Sequence, residues 1–198
     1  IKKAPLVLGH EISGIVDKIG KNIKNFKIGD RVFVSHHVPC MKCHYCLNNH
    51  HTACDTLHKT NFDPGGFSEF IRIPKINIEF GAFKLPENVS FEEGTFIEPL
   101  GTAVRAQRLA NLKENQTLLI VGSGISGLLH IKLAKSKNIK KIIAVDINEY
   151  RLNAAKKSGA DFVINANTDV LSKLKEIIES RLADLVIVCT GALSAARQ

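Results

Sequence analysis

The sequence lacks Trp and has only two Tyr among 198 residues, its other aromatics being ten Phe. Few flat platforms are therefore available for stacking single-stranded bases. No uninterrupted apolar run approaches the roughly 18 residues of a transmembrane helix, and no charged segment followed by an apolar stretch opens the chain as a secretory leader would. A cytoplasmic protein with no membrane partner is expected. Internal repeats and low-complexity stretches are also lacking, which excludes solenoid and collagen-like architectures. Acidic residues are the scarcer sign, 19 against 27 Lys and Arg, for a net charge of +8. Such a balance raises nucleic acid as a partner. Yet the lysines lie singly or in pairs (Lys2, Lys3, Lys18, Lys21, Lys24, Lys27, Lys132, Lys135, Lys137, Lys140, Lys141) with no long basic run. A solvated surface is the better reading, and no nucleic-acid partner is expected. An initiator Met is missing too: the chain opens at Ile1 and closes at Ala195-Ala196-Arg197-Gln198, in what reads as the first turn of a helix. A fragment is expected.

What is present is ordinary for a soluble protein, 44% hydrophobic and 23% charged residues. The length suits one domain or two small ones. Texture changes along the chain. To about Ile78, short apolar runs (Ile12 to Ile19, Arg31 to Val34, Phe67 to Ile73) alternate with Gly, Pro, Asn and Asp, the pattern of β-strands. Beyond Pro99, strands are expected at Leu118 to Val121, Ile142 to Val145, Phe162 to Ile164 and Leu185 to Val188. Helices are expected between them, at Ile125 to Lys137, Glu149 to Lys157 and Leu171 to Arg181. This alternation implies an α/β fold with a parallel sheet covered on both faces. The junction falls near Glu98-Pro99, giving domains 1–99 and 100–198.

Cys40, Cys43, Cys46 and Cys54 are spaced so that one tight loop brings four thiolates around a small ion, within a lobe spanning about 36–58. Zinc prefers such a tetrahedral sulfur cage. Two disulfides are the rival use, disfavoured in a cytosolic chain. An iron–sulfur cluster is the other rival, but bacterial ferredoxins place the fourth cysteine sooner and follow it with Pro. Four ligands fill the sphere, so this metal holds structure and leaves no position for substrate. His36, His37, His44, His50, His51 and His58 crowd the lobe and are read as solvent-facing loop residues. Cys189, ending an apolar strand, reads as a small buried hydrophobe.

Val121-Gly122-Ser123-Gly124-Ile125-Ser126-Gly127 carries the GxGxxG pattern between a strand and a helix, with Asp146 closing the next strand. That context makes it a dinucleotide-binding fingerprint. Gly122 permits the turn, Gly124 lets backbone N–H groups approach a pyrophosphate, and Gly127 lets helix pack on strand. The helix N-terminus favours the phosphates. Asp146 would accept from the ribose hydroxyls and repel a 2′-phosphate, favouring NAD over NADP. Arg151 is the counterweight, since a nearby Arg can accommodate that phosphate.

Taken in order, Gly9-His10-Glu11 with Gly14, the four-cysteine lobe, Gly65-Gly66-Phe67-Ser68-Glu69-Phe70, Glu98-Pro99-Leu100, the glycine loop and Asp146 resemble the zinc-dependent medium-chain dehydrogenases. The branch with sorbitol and threonine dehydrogenases is the nearest likeness, and it covers essentially the whole chain. The resemblance implies a GroES-like, mostly-β catalytic domain followed by a Rossmann domain, with the active site in the cleft between them. It further implies that His10 is a ligand of a catalytic zinc, that Glu11 is either a ligand or a group behind the ligands, and that Glu98 coordinates directly or through water. Cofactor contacts are implied at Gly122, Gly124, Ile125, Gly127, Asp146, Arg151 and Thr190.

The implied reaction is reversible oxidation of an alcohol or polyol. Zinc acts as Lewis acid, hydride passes to NAD, and the parent assembles as a homodimer or homotetramer. Two departures stand out. The family's first catalytic-zinc ligand, a cysteine some tens of residues before Gly9-His10-Glu11, has no counterpart in the eight residues there, and a proton-relay residue is absent with it. The nucleotide domain offers four strands where about six complete the fold. The chain alone is therefore expected to be catalytically weak or dead. The alternative is an inactive metal-binding module of the same fold that binds nucleic acid.

Overall fold

A computed structural model describes residues 6–197. The features read at Ile1, Lys2, Lys3 and Gln198 lie outside the described residues. The chain divides into two compact units, Ile1–Glu98 and Pro99–Gln198.

In the first unit, β1 (Ile12–Ile15) and β2 (Arg31–Val34) form an antiparallel hairpin in the register Ile12↔Val34 and Ile15↔Arg31. The lobe after β2 holds one short helix, α1 (His44–Leu47), and a 3₁₀ turn at His51–Ala53. Next come α2 (Lys75–Gly81) and β3 (Ala82–Lys84), which completes the sheet order β1-β2-β3. A capping box opens α3 (Phe91–Thr95): Ser90 Oγ accepts from the Glu93 N–H and the Glu93 carboxylate accepts from the Ser90 N–H. Then α4 (Ile97–Leu109) begins. Pro99 sits in its first turn, where a missing N–H costs nothing. The buried apolar side chains of this unit are Phe33, Val34, Val38, Phe62, Leu85 and the thiols of Cys46 and Cys54.

Two expectations fail here. Ile12 to Ile19 stops being strand after Ile15. Phe67 to Ile73 forms no strand and contributes a single bridge, Asp63↔Arg72. The Phe67 N–H is spent on Leu8 O, beside the Gly66 N–H on Gly9 O, and Phe67 and Phe70 are exposed.

The second unit is a parallel sheet of β4 (Thr117–Val121), β5 (Lys141–Asp146), β6 (Phe162–Asn165) and β7 (Leu185–Val188), in the order β6-β5-β4-β7. Connecting helices are α5 (Ile125–Ser136), α6 (Glu149–Lys157) and α7 (Val170–Ile177). Every residue of β4, and all of β5 but Lys141, is buried. One face packs Leu118, Ile120, Ile142 and Ala144 on Ile131, Ala134 and Ala155. The other packs Leu119, Val121, Ile143 and Val145 on Ile164, Leu174 and Ile178. The order corresponds to strands 3-2-1-4 of a doubly wound sheet. The expected helix to Arg181 stops at Ile177, and Glu179 and Ser180 adopt left-handed φ of 55° and 63° beyond it. The last turn, Leu193–Arg197, is 3₁₀. Among the described residues, no helix is long and apolar enough to cross a membrane.

Candidate metal centres and dinucleotide site

The four-cysteine group forms as a cage. The sulfurs of Cys40, Cys43, Cys46 and Cys54 all lie within 4.8 Å of one another. Cys43 and Cys46 are 3.5 Å apart, and Cys40 and Cys46 4.0 Å. Zinc–sulfur bonds of about 2.3 Å at tetrahedral angles place sulfurs about 3.8 Å apart, so the cage has the dimensions of a closed zinc site. The turn that brings Cys40 and Cys43 together passes through Met41 at φ 58°, a conformation that costs a residue with a Cβ. The thiols ionise unequally. Cys54 falls to about 6, chiefly because the Cys40 N–H donates to its sulfur at 3.4 Å, while burial pushes Cys46 up to about 12. An ion must displace the Cys46 proton, so binding weakens as pH falls. None of the cysteines is disulfide-bonded.

A second group joins His10, His36 and Glu98, whose donor atoms also lie within 4.8 Å of one another. Gly9 positions His10. It sits at φ 93°, and a Cβ there would meet Phe67 N at 2.9 Å and Gly66 C at 3.1 Å, so the Gly65-Gly66 loop packs against this backbone as only glycine permits. His10 Nε2 is 3.9 Å from Glu98 Oε2, on the first turn of α4. Glu11 is exposed and outside the group; it borders a groove of about 1120 Å³ beside β1.

His36 corrects the reading of the lobe histidines as solvent-facing. It is half-buried, its Nδ1 is shielded without a hydrogen-bond partner, and its ring lies 4.5 Å from that of His10. Burial, with His37 and His10 adding to it, holds its pKa down to about 4, so the ring is neutral, the form that binds metal. His51 is likewise half-buried, whereas His37, His44, His50 and His58 are exposed. Only the hairpin register singles out His36. Carrying the β1–β2 register two residues past Ile12↔Val34 sets His10 directly across from it.

In the second unit the glycine loop follows β4. Gly122 has φ 97°, and its N–H donates to Val145 O at 2.7 Å. A Cβ on Gly127 would drive into the Gly122 carbonyl, whereas one on Gly124, at the N-cap of α5, would meet open space. Backbone is thus exposed where a phosphate would approach. Asp146, buried at the end of β5, accepts from Ser123 N–H at 2.8 Å through Oδ2 and from Asn148 N–H at 2.9 Å through Oδ1. Arg151 Nη1 lies 3.9 Å from the same Oδ2. Ile125 and Thr190 are exposed beside the loop, and Thr190 Oγ1 accepts from Ala192 N–H. Cys189, just past β7, is half-buried against the sheet core, which raises its thiol pKa.

Residues 1–87 match the family described as "Alcohol dehydrogenase GroES-like domain", and residues 126–198 match "Zinc-binding dehydrogenase". The chain belongs to the zinc-dependent medium-chain dehydrogenases. Among relatives of this medium-chain dehydrogenase chain, "Probable D-xylulose reductase A" of Aspergillus clavatus is 36% identical over 97% of the chain and 54% of the relative. Sorbitol dehydrogenase of Mus musculus is 34% identical over 98% of the chain and 55% of its own length. The crystal structure of galactitol-1-phosphate dehydrogenase from Escherichia coli superposes with a TM-score of 0.84 at 30% identity, covering 98% of this chain and 56% of that one. The chain thus spans about half the length of the curated relatives it matches. Its two units are the GroES-like and Rossmann-type folds of this family, and both the family and the four-sulfur cage support zinc as the bound metal.

Proposed function

We propose that this chain carries the structural-zinc cage, part of the catalytic-zinc site and the NAD-binding loop of an alcohol or polyol oxidoreductase. The observation that carries the reading is the presence, on one chain, of an imidazole–carboxylate group with a solvent-exposed His10 and a glycine loop closed by a buried Asp146. Zinc and a polyol-type substrate are supported by the donor sets and by the names of the relatives.

Cys40, Cys43, Cys46 and Cys54 would hold a structural zinc and leave it no open position. His10 and Glu98 would hold the catalytic ion. When bound, that ion supplies Lewis acidity to an alcohol oxygen and the nicotinamide accepts the carbinol hydrogen. The chain's own residues bind and orient. Free N–H groups at Gly124 and the start of α5 receive the pyrophosphate. Asp146 has both oxygens already anchored by backbone N–H groups, which aims their remaining lone pairs for the ribose hydroxyls and sets a negative charge against a 2′-phosphate. Arg151 partly offsets that charge, so the preference for NAD is one of degree. Assembly of the parent as a dimer or tetramer belongs to the same reading.

The test is calorimetric titration of the purified chain with NAD and NADP. NAD is expected to bind more tightly. Asp146→Ser should narrow the difference by about tenfold, the scale of one lost hydrogen bond to a charged group. Equal weakening of both would remove the ribose role, and no binding of either would overturn the reading.

A further inference from the structure

One polar group of the glycine loop has no partner among the described residues. Ser123 is 1% exposed, and its Oγ is shielded from solvent and makes no hydrogen bond. Resting on the assignment of Asp146 as the acceptor for the ribose, we propose that Ser123 is a positioning residue of the dinucleotide site. With NAD bound, its hydroxyl donates to Asp146 Oδ2 and steadies the carboxylate for the ribose.

Three observations converge on it. First, the loop does not need a hydroxyl here for its shape. The turn is made by Gly122 at φ 97° and the opening for a phosphate by Gly124. A buried hydroxyl left unpaired is costly, and alanine would follow the same backbone without that cost. Second, Ser123 is already fastened to the acceptor it needs, since its own N–H donates to Asp146 Oδ2 at 2.8 Å. A gauche rotamer sets a serine oxygen close to its own backbone nitrogen. One χ1 turn therefore brings the hydroxyl toward the oxygen that the N–H holds, with no movement of backbone. Third, Asp146 has lone pairs to spare. A carboxylate offers about four acceptor positions, and backbone fills two, through Ser123 N–H on Oδ2 and Asn148 N–H at 2.9 Å on Oδ1.

Arg151 explains why the turn waits for the cofactor. Its Nη1 stands 3.9 Å from Oδ2, and its side chain is 56% exposed against 4% for that of Asp146, so the guanidinium draws Oδ2 outward, away from the buried hydroxyl. A ribose hydroxyl donating from the same outer side takes the place of that pull and leaves an inner lone pair for Ser123. NADP carries a phosphate where NAD has the 2′-hydroxyl and gains less from the exchange. The Ser123 hydroxyl thus acts with opposite sign in two states: it costs stability in the free chain and contributes affinity in the complex.

The experiment is calorimetric titration of the purified chain and of Ser123→Ala with NAD and NADP, alongside urea unfolding of both without cofactor. Ser123→Ala is expected to raise the unfolding midpoint of the second unit, because an unpaired buried hydroxyl is removed. It is also expected to weaken NAD about tenfold, with a smaller loss for NADP. In the Asp146→Ser background the same change should leave NAD affinity where it was, which a merely structural role would not produce. Unchanged NAD affinity in Ser123→Ala, or an equal loss with and without Asp146, overturns the role of Ser123 while the reading of the glycine loop stands. If the unsubstituted chain binds neither dinucleotide, both fall.

Discussion

Between residues 12 and 85 the buried apolar side chains are scattered over loops, with Val38, Cys54 and Phe62 all outside any strand or helix. From 117 to 178 they form two continuous layers on either side of one sheet. Lobe residues 35–62 bury little hydrocarbon, and their four cysteine sulfurs converge on one point. A segment with so small a core needs a staple. The second unit needs none, because β4 and β5 bury apolar residues on both faces, although β7 packs only Leu185 and Ile187 and leaves Val186 and Val188 exposed. The contrast predicts that the two units fail for different reasons.

The largest effect should come from removing metal. Chelator treatment, or Cys46→Ser, is expected to strip hydrogen-exchange protection from β2 and the lobe while β4, β5 and α5 keep theirs. Uniform protection after chelation would erase the distinction. The opposite break is Gly127→Val, whose side chain has no room beside the Gly122 carbonyl. About 3 kcal/mol of destabilisation should appear in the unfolding of the second unit alone, with zinc content unchanged by elemental analysis.

A smaller effect is set by pH. Burial lowers the pKa of His130, whose Nδ1 faces Gln107 Nε2 at 3.3 Å. The folded value lies below the unfolded one, so no stability is lost above about 6.5, and stability falls as pH drops beneath it because the unfolded chain takes up the proton first. Urea midpoints of the second unit should fall between pH 7 and 5, and less so in His130→Gln. The smallest effect is expected at Met41→Gly. Relief of the left-handed backbone, about 1–2 kcal/mol, is partly offset by the extra freedom of glycine, about 0.5–1 kcal/mol. A slight rise in the first unit's melting temperature should result.

The same contrast governs what could be read in the sequence. Buried parallel strands advertise themselves as short, wholly apolar runs, and β4, β5, β6 and β7 lie within a residue of where those runs fall. The first unit is harder because its apolar residues serve loops. Phe67 and Phe70 look like strand residues yet stand in solvent. The helices α2 and α3 are too short to show a periodic run, and Pro99 and Gly101 interrupt that of α4 beyond its entry at Glu98-Pro99. Cys40, Cys43, Cys46 and Cys54 were legible because metal geometry acts through spacing alone. His36 was not, because its significance depends on which residue lies across the hairpin.

Only four steps of chain separate His36 from Cys40, at most about 14 Å when fully extended, and buried Val38 pins the span midway. One short strap therefore joins the sulfur cage to the ring that lies against His10. Should an ion in the cage shift that strap, the ring beside His10 would shift with it, and any such coupling between the two groups would be reciprocal.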